Sequence, residues 1–378
     1  MSAGHHPDPQ PLITLFLSGD VMTGRGIDQV LPHPSDPRLY EPQVHSARTY
    51  VQLAEQVHGP IHAPVPFSYI WGDALAELNR QAPDLRLINL ETSVTTSPDY
   101  WQNKAIHYRM HPANIPCLTA ARIDYCSLAN NHVLDWGYAG LAETVATLRN
   151  VNIKYAGAGR NLHEAARPAV MAVQGKGRVM VFAYGVETSG IPPAWAALAD
   201  RPGVNLLPEL SAETVRRVKE NVGAVKQPGD IVVASIHWGS NWGYTIPPAQ
   251  RKFAHALIDE AGIDIVHGHS SHHVKGIEVY KEKLILYGCG DLLTDYEGIG
   301  GHKAVRSDLA LLYFVSVEPS RGTLVRLSMT PMQMQRFRLT RASDTDGLWL
   351  RDVLNRAGRP FGTRVEMGRE NTLILHWQ

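Results

Sequence analysis

Short apolar, β-branched runs recur along the chain, and each stops at a polar or glycine-rich stretch. They are Leu12–Ser18, Leu85–Asn89, Tyr125–Leu128, Val179–Tyr184, Ile231–Ile236, Ile263–Val266 and Leu284–Tyr287. Between them lie segments with helical spacing of apolar positions: Gly72–Gln81, Gly140–Asn150, Ser211–Val222 and Pro248–Ala261. Strand-length runs alternating with helices predict β-α units and an α/β fold, a layered sheet core flanked by helices. Residues Leu31–Tyr69 are rich in Pro, His and Tyr with weak periodicity, which predicts a lid-like loop at about 31–70. Beyond Val315, the runs Leu324–Met329, Phe337–Leu339 and Leu373–Trp377 flank a helix near Asp344–Asn355. They predict an extension at about 315–378 that adds an edge to the sheet, within a single domain spanning residues 1–378.

The residues able to do chemistry are not scattered evenly over this pattern. Asp20, Glu91, Asn131-His132, His237 and His269 each sit just after a predicted strand. In open α/β sheets, that edge is where ligand sites form. A random scatter would not select the same end of five strands.

Composition narrows the chemistry. The chain has 36 basic and 36 acidic side chains and no like-charge run, so neither nucleic acid nor an anionic membrane surface is an expected partner. Eighteen histidines against three cysteines favour imidazole chemistry over a disulfide framework and suit a reducing compartment. The first apolar run has only a strand's length and lacks a basic flank, so a soluble, cytoplasmic protein is expected.

Asp20 can ligate a hard cation or orient a histidine, and Glu91 can reach the same centre. Asn131-His132, followed by Asp135, combines a carbonyl ligand, an imidazole and a carboxylate. His237 ends a buried run. The segment His267-Gly268-His269-Ser270-Ser271-His272-His273 holds four imidazoles in seven positions. Asp291 and Asp295 read as turn and cap residues, and His302 as a structural histidine in a glycine-rich loop. This inventory of oxygen and imidazole donors suits Ca²⁺, Mg²⁺, Mn²⁺, Zn²⁺ or Fe rather than a cysteine-rich zinc site.

The ordered motifs GDVMTGRG, INLETSV, SLANNHVLDWG, SIHWGSNWG, VHGHSSHH and LYGCGDLL resemble the CapA-type capsule and poly-γ-glutamate synthesis proteins. Those proteins resemble calcineurin-like metallophosphoesterases, so the resemblance implies that fold, with the site on the loops at the C-terminal ends of the strands. Met22 replaces the imidazole of the usual D-x-H motif, Glu91 stands where a bridging Asp is usual, and His269 and His272 have altered spacing. With one ligand lost, a single divalent cation (Ca, Mg, Mn or Zn) is expected.

The resemblance includes a soluble branch of lasso-peptide epimerases, and the inventory suits that reaction. Inverting a peptide Cα needs a base on one face and an acid on the other, with a cation near the enolate. The expected enzyme is a metal-dependent peptide epimerase. Asp20, His132, His269 and His272 are assigned to proton transfer, and Glu91, Asn131 and His237 to the metal. Arg25, Lys104 and Arg109 are assigned to a peptide carboxylate, and Trp101 and Trp242 to an aromatic side chain. The alternatives are a metal-dependent phosphoesterase or amide hydrolase, and a non-catalytic capsule or poly-γ-glutamate assembly factor.

Overall fold

The computed structural model describes residues 11–299 and 305–378, so His302 lies outside the described residues. Two sheets pack face to face, with helices on both outer sides. The first has ten strands and is centred on Ile13–Val21. That strand runs parallel to Leu85–Leu90, which is followed outward by Tyr125–Ser127 and Lys154–Ala156, also parallel. On its other side it pairs antiparallel with Leu309–Glu318, and Thr323–Gln335, Leu373–Trp377 and Thr363–Met367 continue the sheet outward. The C-terminal segment thus completes one edge, with the helix Asp344–Gly358 lying beside it.

The second sheet is built on four parallel strands, Gly177–Val186, Asp230–His237, Ile265–His269 and Lys283–Leu286. Side chains alternate across a strand, and here both faces are covered, which explains the continuous apolar runs. Val179, Val181 and Ala183 face the first sheet and share a core with Leu15, Leu17 and Ile88. Their neighbours Met180, Phe182 and Tyr184 join a second core under the helices Ala212–Gly223 and Pro248–Ala261. His267 is held inside the first core, its Nε2 2.6 Å from the Ser18 carbonyl oxygen of the opposite sheet.

The segment expected to be an irregular lid contains an α-helix, Arg48–His58. Its apolar stripe is narrow, since only Tyr50 and Ala54 are fully buried while Leu53 is half-buried and Val57 exposed, and the surrounding prolines and histidines masked it. No helix of the described residues is long and apolar enough to cross a membrane.

Two filled faces on one sheet predict similar costs for truncation on either side. Ile231→Ala, between the sheets, and Phe182→Ala, under the helices, should each cost about 2–5 kcal/mol in urea denaturation. Val325→Ala, at an exposed position, should stay within about 0.5 kcal/mol. A loss below about 1 kcal/mol at Ile231 or Phe182 would show that its face is loosely packed.

Candidate metal centre and its pocket

Parallel pairing lines up the strand ends. His237 and His269 are direct register partners in the second sheet, and Asp20 is paired with Asn89 on one side and Asp291 on the other in the first. The register shift between Leu17 and Asp20 is a bulge, a device that re-aims a side chain at a strand end. Gly19 allows the close approach this requires, because a Cβ there would lie 1.6 Å from the Gly290 carbonyl oxygen. The two sheets converge at these ends, and Asp20 faces the imidazoles of the other sheet.

Asp20 is fully buried. Its Oδ1 accepts a hydrogen bond from Asn89 Nδ2 at 2.7 Å, and its Oδ2 accepts one from the Ser270 backbone N–H at 3.2 Å. Ser270 holds that N–H in place from a positive φ of 99°, a conformation that costs a non-glycine residue about 1–3 kcal/mol. Asp20 Oδ1 lies 3.9 Å from His237 Nδ1 and 4.0 Å from His269 Nδ1, and the two imidazole nitrogens are 2.8 Å apart. His237 Nε2 sits 3.0 Å from Asn131 Oδ1 and 3.7 Å from Glu91 Oε1. His272 Nδ1 is 3.0 Å from Asp291 Oδ1.

Two donor groups result, and they share one residue: Asp20 with His237 and His269, and Asp20 with His272 and Asp291. All the donors are carboxylate oxygens or imidazole nitrogens, a set that fits a divalent cation of the Mn²⁺, Fe or Zn²⁺ kind. Electrostatics points the same way. Burial, then Asp291, pushes the Asp20 carboxyl up, and burial, then Asp20 and Asp291, pushes Glu91 up. Burial, followed by mutual repulsion with neighbouring imidazoles, holds His237 and His269 well below the usual histidine range, so both present neutral ligand nitrogens. Burial opposes charging of His272, but the Asp291 carboxylate beside it prevails and its pKa is raised.

The structure redistributes the expected roles. Asp20 and His269, assigned to proton transfer, are wholly buried in the donor group with His237. A cavity of about 530 Å³ opens over the centre, and Glu91, Asn131, His132, His237 and His272 line it. His132 lines the cavity with its ring held from two sides. Its Nδ1 is 2.6 Å from Asp135 Oδ2, its ring stacks on Tyr108 at 3.8 Å, and its Nε2 lies 3.9 Å from Glu91. Burial, then Lys104 and Arg25, keeps this imidazole neutral. Asp135 and Asp291 join the site without a role assigned to them from the sequence. A carboxylate three residues after His132 was the signal for the first, and an acid after a strand and Gly-Cys-Gly was the signal for the second.

Of the substrate-binding assignments, Lys104 and Trp242 line the cavity, and Lys104 Nζ is 2.7 Å from Asp135 Oδ1. Arg25 also lines it, but its guanidinium is committed to Asp295, at 3.0 and 2.5 Å, and to Glu41 at 3.0 Å. Arg109 lies elsewhere, stacked 3.8 Å over Trp136 and donating to the Ser97 and Asp36 carbonyl oxygens. Trp101 packs edge-on against Trp195, with ring centroids 5.4 Å apart, and is not among the residues lining the cavity. Neither Arg109 nor Trp101 is placed to meet a ligand, because partners distant in sequence claim both.

Fold and site together define an α/β protein with buried carboxylate and imidazole groups that could hold a divalent cation, beneath an imidazole-lined cavity. The chain belongs to the bacterial capsule synthesis protein family PGA_cap, whose model matches residues 14–296. It is 51% identical over 363 residues to a probable polyglutamine synthesis accessory protein of Mycobacterium tuberculosis, covering 96% of this chain and 95% of that protein. It is 31% identical over 217 residues to the PGA biosynthesis protein CapA of Bacillus subtilis, covering 57% of this chain and 54% of that one. Capsule biosynthesis protein CapA of Bacillus anthracis is 24% identical over 283 residues, with 75% and 60% covered.

The buried charges set a sign for pH dependence. Groups whose folded pKa is raised (Asp20, Glu91 and His272) lose stability as pH rises toward and through their folded values. The depressed imidazoles act only as pH falls below their ordinary value of 6.5. Chelator-treated protein should therefore melt at a lower temperature at pH 8 than at pH 6.5, and Mn²⁺ should restore most of the loss. Asp20→Asn should flatten this slope and abolish the Mn²⁺ effect. A chelated protein equally stable at both pH values would contradict the charge assignment.

Proposed function

We propose that the protein is an accessory factor in the synthesis of a glutamate- or glutamine-derived poly-amino acid, engaging the polymer chain in its cation-dependent cavity. The observation that carries this reading is the 51% identity, over nearly the whole of both chains, to a protein named for polyglutamine synthesis. The cavity supports it. The charged groups of Arg25 and Lys104 already face Asp295, Glu41 and Asp135, which leaves little uncompensated positive charge for a phosphate. Ile106, Trp242 and Tyr296 provide apolar wall for the methylenes of a peptide chain.

Asp20, His237, His269, His272 and Asp291 would hold the cation, with Glu91 and Asn131 adjacent. When bound, it would supply a Lewis-acidic centre for a carbonyl or phosphoryl oxygen. The chain's own contribution is orientation. Asp135 fixes the tautomer of His132 with the proton on Nδ1, leaving Nε2 able to accept one from a group in the cavity.

A second reading, metal-dependent hydrolysis of an amide or phosphoester, is favoured by Asp20 serving two donor groups and by the His132–Asp135 pair. Epimerisation at Cα draws only on the presence of two imidazoles, His132 and His272, and the relatives' names favour polymer synthesis over it.

Calorimetric titration of Mn²⁺-loaded protein with γ-glutamate and glutamine oligomers separates these readings when product analysis accompanies it. The expected result is binding that disappears with chelator, while oligomer mass stays unchanged in both H₂O and D₂O. Shortened oligomers, or phosphate release from a diester, would move the assignment to a hydrolase, and deuterium gain at Cα to an epimerase. Absence of cation-dependent binding to any oligomer would overturn the accessory reading.

A further inference from the structure

Beyond the metal cavity lies a second one of about 500 Å³, whose lining includes Tyr244, Ile246, Arg251, Arg356 and Phe361. It is joined to the first through one short loop. Asn241 and Trp242 line the metal cavity, while Tyr244 and Ile246, two to four residues on, line the second. The His273 ring lies between Trp242 and Tyr244, with centroids 6.3 and 4.6 Å away. At roughly 3.3 Å per extended residue, Trp242 and Tyr244 are about 7 Å apart along the chain. Two cavities separated by so short a loop lie within the span of an oligomer of a few residues.

The second cavity has charge and a polar atom to offer. Arg251 is compensated: it donates to Glu278 at 3.2 Å and lies 5.0 Å over the Phe361 ring. Glu278 is also contacted by His255 at 3.0 Å and accepts from the Tyr287 hydroxyl at 2.6 Å. Arg356 is exposed and makes no ion pair among the described residues, and its field reaches the Tyr244 phenol. The Tyr244 hydroxyl is buried without a hydrogen-bond partner. An uncompensated guanidinium beside an apolar wall of Tyr244, Ile246 and Phe361 matches a carboxylate carried on methylenes.

We infer that this cavity is a second subsite that binds a carboxylate-bearing residue of an acidic peptide polymer, whose neighbouring residues occupy the metal cavity. Arg356 holds the carboxylate, and Tyr244, Ile246 and Phe361 take the methylenes. This inference rests on the polymer-binding reading above, and oligomer length keeps the two separable.

The experiment is calorimetric titration of the Mn²⁺-loaded full chain with γ-glutamate oligomers of two and of eight residues, and with glutamine octamer. The glutamate octamer should bind about tenfold or more tightly than the dimer, the gain expected of one charge-assisted contact. Arg356→Gln should erase most of that gain, leaving dimer affinity and Mn²⁺ content unchanged. The Arg356 side chain is exposed, so the variant should fold. Octamer affinity unchanged in Arg356→Gln would overturn the subsite, as would an equal gain with glutamine octamer. Loss of chelator-sensitive dimer binding would instead count against the polymer-binding reading, and the Arg356-dependent octamer signal would still report on the subsite.

Discussion

Three carboxylates, Asp20, Glu91 and Asp291, are buried together where two sheets bring their strand ends to one point. Burying even one ionised carboxylate is costly unless it is paired, and like charges in contact raise that cost. The surrounding groups offset it only in part. Asn89 and the Ser270 backbone donate to Asp20, and His272 faces Asp291. Lys104 and Arg25, the nearest full cations, are directed at Asp135, Asp295 and Glu41. A divalent cation is the simplest species that satisfies the remaining charge, and the neutral imidazoles of His237 and His269 are positioned as its other ligands.

Much else in the fold serves this point. The parallel register sets His237 beside His269, the bulge before Asp20 turns that side chain across the interface, and Gly19 lets the Gly290 backbone approach. Ser270 keeps a strained φ so that its N–H stays on Asp20. His267 ties the two sheets beneath the site, through the Ser18 carbonyl, without entering the donor groups. The centre is thus fixed by long apolar strands rather than by loops alone, and the cavity lies above it.

The strands and the imidazoles ending them were legible in the sequence, because an apolar run that stops in Asp or His marks both a strand and its end. What could not be read was partnership across distance. Arg25 and Arg109 looked alike as cations. Asp295 and Glu41 claim the first and Trp136 the second, and only folding brings those groups together. Asp291 was visible only as a turn residue, since its value lies in being the register partner of Asp20, some 270 positions away. The loss of an imidazole at Met22 suggested one metal site, yet His272 and Asp291 assemble a second donor group on the same Asp20. The His132–Asp135 contact is the opposite case, a local pair three residues apart that the sequence places side by side.

The account stands on a cation held by Asp20, and diffraction from crystals grown with Mn²⁺ examines that directly. Anomalous difference maps should show a peak at about 2.0–2.3 Å from an Asp20 carboxylate oxygen and from His237 or His272. Maps with no peak there, and with Asp20 hydrogen-bonded only to Asn89 and Ser270, would contradict it.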